Sequence, residues 1–401
     1  MSWLTIVGIG EDGIAGLGDA AKAAISQAEL VFGGERHLRL AAPLIRGEQQ
    51  AWLSPFSLSV DAVVAARGKA VCVLASGDPF QFGVGATLAR RIDPAQMRVL
   101  PHPSAFTLAA ARLGWPLGEI TTLSLHGRSQ DLLRPHLQPG ARILALTSDG
   151  DSPLQLAQLL HESGFGLSIL TVLEALGGPE ERVRSQPASA FTLADINPLN
   201  VVAISVVALP EARVLPLVPG RDDALFEHDG QITKREIRAL TLATLAPRQG
   251  ELLWDIGAGS GSIAIEWLLA HPTLRAIAIE SHPERCARIK HNAAQFGVPG
   301  LQLVEGAAPA ALEGLEPPHA IFVGGGGSDP GALETARAAL RSGGRLVANA
   351  VTLEMEAILL AHHAAHGGSL TRIELSRASS IGTMTGWRPA MPLLQWCWSK
   401  P

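Results

Sequence analysis

Short runs of β-branched and leucine-rich residues recur along this chain. Between them lie longer stretches whose apolar positions return every three or four residues. The first pattern predicts buried strands and the second predicts helices packed on them. In the first half, strands are expected at residues 3–7, 70–75, 97–100, 120–125, 142–147 and 200–209. Helices are expected at 16–29, 83–91, 104–113 and 153–163, the last with Ser152 as N-cap and Pro153 in its first turn. In the second half, strands are expected at 251–256, 274–280, 301–305, 320–323 and 345–350, and helices at 261–270, 283–296, 330–341 and 353–366. Two late strands, 370–376 and 393–398, complete the series, the last antiparallel. Alternation of this kind implies an α/β protein with mostly parallel sheets covered on both faces, and the second half reads as a doubly wound domain. Between Leu209 and Asp223 three prolines forbid a continuing helix. The expected division is therefore 1–209, a linker at 210–222, and 223–401.

Composition narrows the class. The 401 residues carry 32 Lys and Arg against 37 Asp and Glu, a net charge of −5, which counts against nucleic acid as the main partner. Cys72, Cys286 and Cys397 lie far apart and are odd in number, so neither a disulfide framework nor a cysteine zinc site is expected. With no basic leader before Gly8 and no apolar run of ~18 residues, a cytoplasmic chain without a membrane span is expected. Tyrosine is absent, which excludes a phenolic acid–base mechanism. His362 and His366 share a helix face, but position 363 is not the Glu of a zinc-protease helix. They read as a solvent-facing helix end, and no metal is expected. Cys286 reads as buried packing.

The strongest chemical signal is Leu252-Leu-Trp-Asp-Ile-Gly-Ala-Gly-Ser-Gly261, a buried strand ending in a glycine turn that opens a helix. Glycines there let a ligand approach the main chain, and the helix start offers unpaired N–H groups. Glu280 ends the next strand, where an acid can receive the two hydroxyls of a ribose. A dinucleotide fingerprint wants glycine at position 262, which is Ser262 here. The spacing D-x-G-x-G-x-G favours S-adenosyl-L-methionine (SAM); a dinucleotide site and a plain turn are the other readings.

The first half carries weaker loops. Ile6-Val-Gly-Ile-Gly-Glu-Asp-Gly13 fits G-x-G-x-x-G, yet no acid stands at the tip of the following apolar segment. Val71 to Pro79 is a buried strand ending in Ser76-Gly-Asp78, with Asp78 restrained by Pro79 and available to an ammonium group. Pro101-His-Pro-Ser104 and Ser124-Leu-His-Gly-Arg128 follow two more strands.

Taken together, Val7-Gly-Ile-Gly10, Val31-Phe-Gly-Gly-Glu-Arg-His37, Ala75-Ser-Gly-Asp-Pro79 and Ser124-Leu-His-Gly-Arg128 resemble the tetrapyrrole (class III) methyltransferases of corrin synthesis. The second half is similar to their decarboxylating class I partner, through Asp229-Gly-Gln-Ile-Thr-Lys-Arg-Glu236, Trp254 to Ser262, Asn349-Ala-Val-Thr-Leu-Glu354 and Thr385-Gly-Trp-Arg-Pro-Ala-Met-Pro392. The resemblance implies a tetrapyrrole-methylase fold followed by a Rossmann-like SAM-methyltransferase fold. It implies one SAM per domain, methylation of a precorrin at carbons 5 and 15, and loss of carbon dioxide from the ring C acetate. It also implies a homo-oligomer, a tetramer through the C-terminal domain.

Carried over by position, Gly257, Ala258, Gly259, Ser260 and Gly261 would hold the methionine part of SAM and Glu280 its ribose. Gln231 and Thr233 would close over it, with Gly306, Ala307 and Ala308 beside the adenine. Ser76, Gly77 and Asp78 would contact the second SAM, with Ser104, His126 and Thr147 lining its cleft. Gly8, Gly10, Arg128, Asn349, Trp387 and Arg388 would meet the macrocycle, whose carboxylates call for cations, Arg377, Lys234 and Arg235 included. No catalytic acid or base is assigned. The Gly324–Gly327 run stands where amino-directed methyltransferases place Asn/Asp-Pro-Pro, which disfavours nitrogen methylation. An RNA methyltransferase and a SAM-binding protein without turnover are the alternatives.

Overall fold

The computed structural model of the chain describes residues 2–401. Contacts divide it into two compact units, one running to Gln130 and including His136–Val214, the other Asp131–Pro135 and Leu215–Pro401.

The N-terminal unit runs β1 (Leu4–Ile9), α1 (Asp19–Gln27), β2 (Leu30–Gly33), α2 (Glu35–Ala41), β3 (Glu48–Ala51), α3 (Phe56–Ala65), β4 (Val71–Ser76), α4 (Val84–Leu88), β5 (Met97–Leu100) and α5 (Ala105–Leu113). It continues with β6 (Thr121–Ser124), β7 (Arg142–Leu146), α6 (Ser152–Glu162), β8 (Ile169–Glu174), β9 (Arg182–Pro187) and β10 (Asn200–Ser205). Its first sheet, ordered β3-β2-β4-β1-β5, is wholly parallel. Both faces are covered: Leu4, Ile6, Phe32 and Val73 pack into one core, Val7, Ile9, Val31 and Leu74 into another. This is the period-two signature of a strand buried on both sides.

The second sheet, β6-β7-β10-β8-β9, corrects the expectation of parallel strands. Only β6 and β7 run parallel; β10, β8 and β9 pair antiparallel. Neither β8 nor β9 is among the expected strands: β8, Ile-Leu-Thr-Val-Leu-Glu, is a largely buried run, and β9, Arg-Val-Arg-Ser-Gln-Pro, is a polar edge strand. Other boundaries move as well. The strand expected at 200–209 stops at Ser205, the helix expected at 16–29 is shorter, and α6 begins at Ser152 itself. The carboxylate of Asp149, not the Ser152 hydroxyl, caps α6, accepting from the Ser152 N–H at 2.9 Å and the Ser152 Oγ at 2.8 Å.

The C-terminal unit runs α7 (Arg235–Leu245), β11 (Leu252–Ile256), α8 (Ser262–Ala270), β12 (Arg275–Glu280), α9 (Pro283–Gln295), β13 (Gln302–Glu305), β14 (Ala320–Val323), α10 (Ala332–Ala339), β15 (Arg345–Ala350), α11 (Leu353–His366), β16 (Ser369–Ile373), β17 (Ser376–Ile381), β18 (Met384–Pro389) and β19 (Leu393–Ser399). Its seven-stranded sheet is ordered β13-β12-β11-β14-β15-β19-β16, with five parallel strands and β19 antiparallel to both neighbours. β17 and β18 form a separate hairpin.

Helix α11 packs against β19, which corrects the reading of His362, while His366 is exposed as expected. His362 is only 8 % exposed, its ring 5.5 Å from that of Trp396 and its Nε2 3.3 Å from Glu334. Cys286 is buried, and its Sγ donates to the Glu280 carbonyl. Among the described residues, no helix is long and apolar enough to cross a membrane.

Candidate functional site

β11 is buried along its whole length, and the sheet order changes direction at its edge, from β12 on one side to β14 on the other. Open α/β sheets bind ligands beyond the carboxyl ends of strands at such a point. The turn leaving β11 has Gly257, Gly259 and Gly261 at φ of 67°, 60° and 76°. Side chains with a Cβ avoid that region. Space is a second constraint: a Cβ on Gly257 would lie 2.3 Å from the Gly325 carbonyl oxygen, and one on Gly259 would lie 3.1 Å from that of Gln231.

A cavity of about 660 Å³ opens over this turn. Its wall brings together Gln231, Thr233, Gly257, Ala258, Gly259, Glu280, Gly306, Ala307, Ala308 and Asn349, each expected from the sequence to meet SAM or the macrocycle. Lys234 and Arg377, two of the expected cations, lie on the same wall. Ser260 and Gly261 do not. The Ser260 carbonyl accepts from Asn292 Nδ2 at 2.9 Å beneath the turn, and Gly261 faces Ile289. Trp387 and Arg388 lie on the β17–β18 hairpin outside the wall, Trp387 at 76 % exposure. Arg377, directly opposite Arg388, does reach the cavity and is paired with Glu236.

Glu280 is set by its own backbone surroundings. Its Oε2 accepts from Gly259 N at 2.8 Å, and its Oε1 from Ser281 N and His282 N at 2.9 and 3.0 Å. Burial would raise its pKa, but these hydrogen bonds outweigh burial and hold it below the ordinary carboxylate value. It is therefore an anion with a fixed orientation. Asp255 behaves oppositely. Its Oδ2 accepts from Ala264 N at 3.0 Å, while Oδ1 is buried without a partner. Burial first, and then the nearby Glu280 charge, push its pKa up to about 7 against the Ala264 bond. Asp255 lines the cavity, and only its place in D-x-G-x-G-x-G marked it in the sequence.

Asn349 has partners already: Nδ2 donates to Thr241 Oγ1 at 3.0 Å and Oδ1 accepts from Gln395 Nε2 at 2.9 Å. Arg285 on α9 also lines the cavity, and sequence pattern could not single it out because its role depends on a tertiary partner, Asp229.

In the N-terminal unit the named residues fall on both sheets. Gly8 packs under the β4 loop, where a Cβ would lie 1.9 Å from the Gly77 carbonyl oxygen, and a Cβ on Gly10 would meet His102 Nε2 at 2.8 Å. Ser76 Oγ lies 2.8 Å from His37 Nε2 and accepts from Arg36 Nη2 at 3.0 Å, while Arg36 also pairs with Glu11. Burial, then the Arg36 charge, push the His37 pKa down to about 4. Asp78 Oδ1 accepts from Phe80 N at 2.8 Å, and Ser104 caps α5 through Thr107 N at 3.2 Å.

The second sheet carries the rest. Thr147 is buried with its hydroxyl on Asn200 Oδ1 at 2.6 Å, and His126 Nδ1 lies 3.1 Å from the Thr147 carbonyl oxygen. Arg128 and Thr147 share a polar pocket of about 280 Å³ with Asp149, Ser152 and Gln155.

Both units match family models: residues 3–191 match tetrapyrrole (corrin/porphyrin) methylases, and residues 224–400 match the precorrin methyltransferase domain. A Sinorhizobium protein named precorrin-6Y C(5,15)-methyltransferase [decarboxylating] is 66 % identical over 398 residues, spanning 99 % of this chain and 96 % of that protein. Two shorter relatives come from Salmonella typhimurium. One, cobalt-precorrin-7 C(5)-methyltransferase, is 32 % identical and covers 50 % of this chain and 98 % of its own length. The other, cobalt-precorrin-6B C(15)-methyltransferase (decarboxylating), is 32 % identical and covers 40 % of this chain and 85 % of its own length. Matched along almost its entire length, the chain belongs to the precorrin-6Y C(5,15)-methyltransferase (decarboxylating) family.

Proposed function

We propose that this SAM-dependent C-methyltransferase of cobalamin biosynthesis divides its labour between its units. The C-terminal unit decarboxylates the ring C acetate and methylates carbon 15, and the N-terminal unit methylates carbon 5, converting precorrin-6Y to precorrin-8X. The observation that carries the reading is the cavity over Gly257–Gly259, with the oriented Glu280 carboxylate at its edge. The two Salmonella relatives, named for the separate activities on separate chains, support the division. Nucleic acid is disfavoured as substrate by the net charge of −5.

The C-terminal wall fits SAM. Glycines at Gly257 and Gly259 leave the main chain bare, Glu280 offers acceptors to a ribose diol, and the unpartnered Asp255 Oδ1 suits a cationic group. When bound, SAM supplies an electrophilic methyl on a sulfonium. The protein orients the enamine-like meso carbon in line with that methyl and keeps water out. Positioning and desolvation supply most of the rate for such a transfer, because charge disperses rather than develops. Arg377 and Lys234, both on the wall, are placed for the carboxylates of the macrocycle. In decarboxylation the electron pair of the breaking carbon–carbon bond passes into the protonated conjugated ring, so the chain has only to hold the acetate and the ring in register.

The test uses the full-length protein, precorrin-6 substrate and SAM with a labelled methyl. Two labelled methyls, at carbons 5 and 15, and one carbon dioxide per turnover are expected. Glu280→Ala is expected to remove the carbon 15 label. Loss of the carbon 5 label alone would reverse the assignment.

A further inference from the structure

The segment that precedes α7 lies across the glycine turn: the Gln231 carbonyl oxygen stands 3.1 Å from where a Gly259 Cβ would lie. Gly230, Gln231, Thr233 and Lys234 all line the cavity, so this segment is a strap over whatever the cavity holds. Its two ends are held differently. At the α7 end the fully buried Arg238 donates to the Thr233 carbonyl, with Glu266 on its Nε at 2.9 Å. That end is part of the core.

The other end is held at the surface by α9. Asp229 Oδ1 accepts from Gln231 N at 3.0 Å, and its Oδ2 is shared by Arg285 Nε at 2.9 Å and Arg288 Nη1 at 3.1 Å. Arg285 and Arg288 are three residues apart and so share a helix face. One turn further along, Asn292 takes the backbone of Glu227 through both its Oδ1 and Nδ2, and the same Nδ2 also reaches the Ser260 carbonyl of the glycine turn. The arrangement makes α9 a common anchor for the strap and for the floor it covers. Asp229 is the hinge point of that anchor, because one carboxylate fixes both the loop's own turn and its attachment to two cations.

We propose that Asp229 is a positioning residue that sets the residence time of the methyl donor in the C-terminal unit, acting through Arg285 and Arg288 on the strap at Gly230–Thr233. It rests on the reading that this cavity holds SAM. Asp229 touches no ligand in this scheme: it keeps the strap closed, and its loss frees the strap side of the wall while the glycine turn and Glu280 on the opposite side keep their own hydrogen bonds. Charge-assisted bonds to one carboxylate from two guanidiniums are strong and geometrically selective, and Asp229 and Arg285 are both partly exposed, so substitution leaves the core intact.

The experiment measures binding and release of S-adenosylhomocysteine by the full-length protein, using the component of the signal that Glu280→Ala removes. Asp229→Asn is expected to speed release about tenfold with little change in association, to raise the KM for SAM at carbon 15 accordingly, and to leave the kcat effect small. The charge-exchanged pair Asp229→Arg with Arg285→Asp is expected to recover part of the loss that either change causes alone. Unchanged release in Asp229→Asn overturns the proposal, as does strict additivity of the exchanged pair. A wild-type protein with no Glu280-dependent component overturns the underlying reading instead. Melting curves separate a third case: a fall in melting temperature with release unaltered means the ion pair serves stability alone, which also rejects the proposal.

Discussion

The two units reach their sites by different routes. In the C-terminal unit one parallel sheet brings the loops after β11, β12, β13, β14 and β15 to a single edge, so Gly257, Glu280, Gly306, Gly324 and Asn349 line one cavity. In the N-terminal unit Gly8 and Ser76 lie in strands of the parallel sheet and Ser104 follows its β5, whereas His126, Arg128 and Thr147 follow strands of the mixed one. The first is one cavity built by one sheet, whereas the residues proposed for the second are divided between two sheets, and the pocket at Arg128 and Thr147 takes in only the mixed one. A single switch point makes its own pocket. On the parallel sheet Arg36 ties Glu11 to Ser76.

The sharpest way to break this comparison is to fill one glycine in each unit. Gly257→Ala combines a disfavoured φ of 67° with a contact of 2.3 Å, and Gly8→Ala meets a carbonyl at 1.9 Å. More than about a hundredfold loss is expected at carbon 15 for Gly257→Ala, with carbon dioxide release, and at carbon 5 for Gly8→Ala. Methyl labels located by NMR check both. Loss of the same methyl in the two variants would remove the distinction between units.

A middle-sized effect is expected from pH. With its pKa at about 7 in the free protein, Asp255 is largely protonated below that value. A cationic group on the ligand favours the ionised form, so binding below pH 7 must release the proton. Affinity of the C-terminal unit is therefore expected to fall by up to about tenfold per pH unit below 7 and to level off above it. His37, beside Ser76, has its pKa near 4 and stays neutral from pH 6 to 8. It adds no pH dependence to the N-terminal unit over that range. Calorimetry in buffers of different ionisation enthalpy measures the proton release directly.

The smallest effects are expected at the exposed cations. Arg128→Ala is expected to raise the precorrin KM several-fold for the carbon 5 transfer and Arg388→Ala for the carbon 15 transfer, as exposed charge pairs contribute about 1 kcal/mol or less. Separate KM values for the two labelled products check the pairing.

Much of the C-terminal site was legible because buried parallel strands are continuous apolar runs, and the turns after them carry glycine or an acid. Leu252–Ile256 with its turn, and Ala276–Glu280 with its acid, could be read from the chain directly. β3, β9 and the β17–β18 hairpin could not, since Glu-Gln-Gln-Ala and Arg-Val-Arg-Ser-Gln-Pro are polar edge segments whose partners lie elsewhere. The roles of Asp229 and Arg285 escaped for a related reason: they are 56 positions apart, and only folding pairs them. Ser104, marked for a ligand by its place after a strand, also caps a helix through its hydroxyl, a role visible only in the fold.

One buried carboxylate bears on where this polypeptide could be divided into independent proteins of the kind found in Salmonella. Glu266 is wholly enclosed and accepts the backbone N–H groups of Gly220 and Arg221 at 2.7 and 3.0 Å, as well as Arg238. The proline-rich connector thus ends as part of the C-terminal core. A gene fission placed after Arg221 would leave that enclosed anion short of two donors, whereas a break near Arg213 would carry them along. Viable fission sites, natural or engineered, are accordingly confined to the stretch before Gly220.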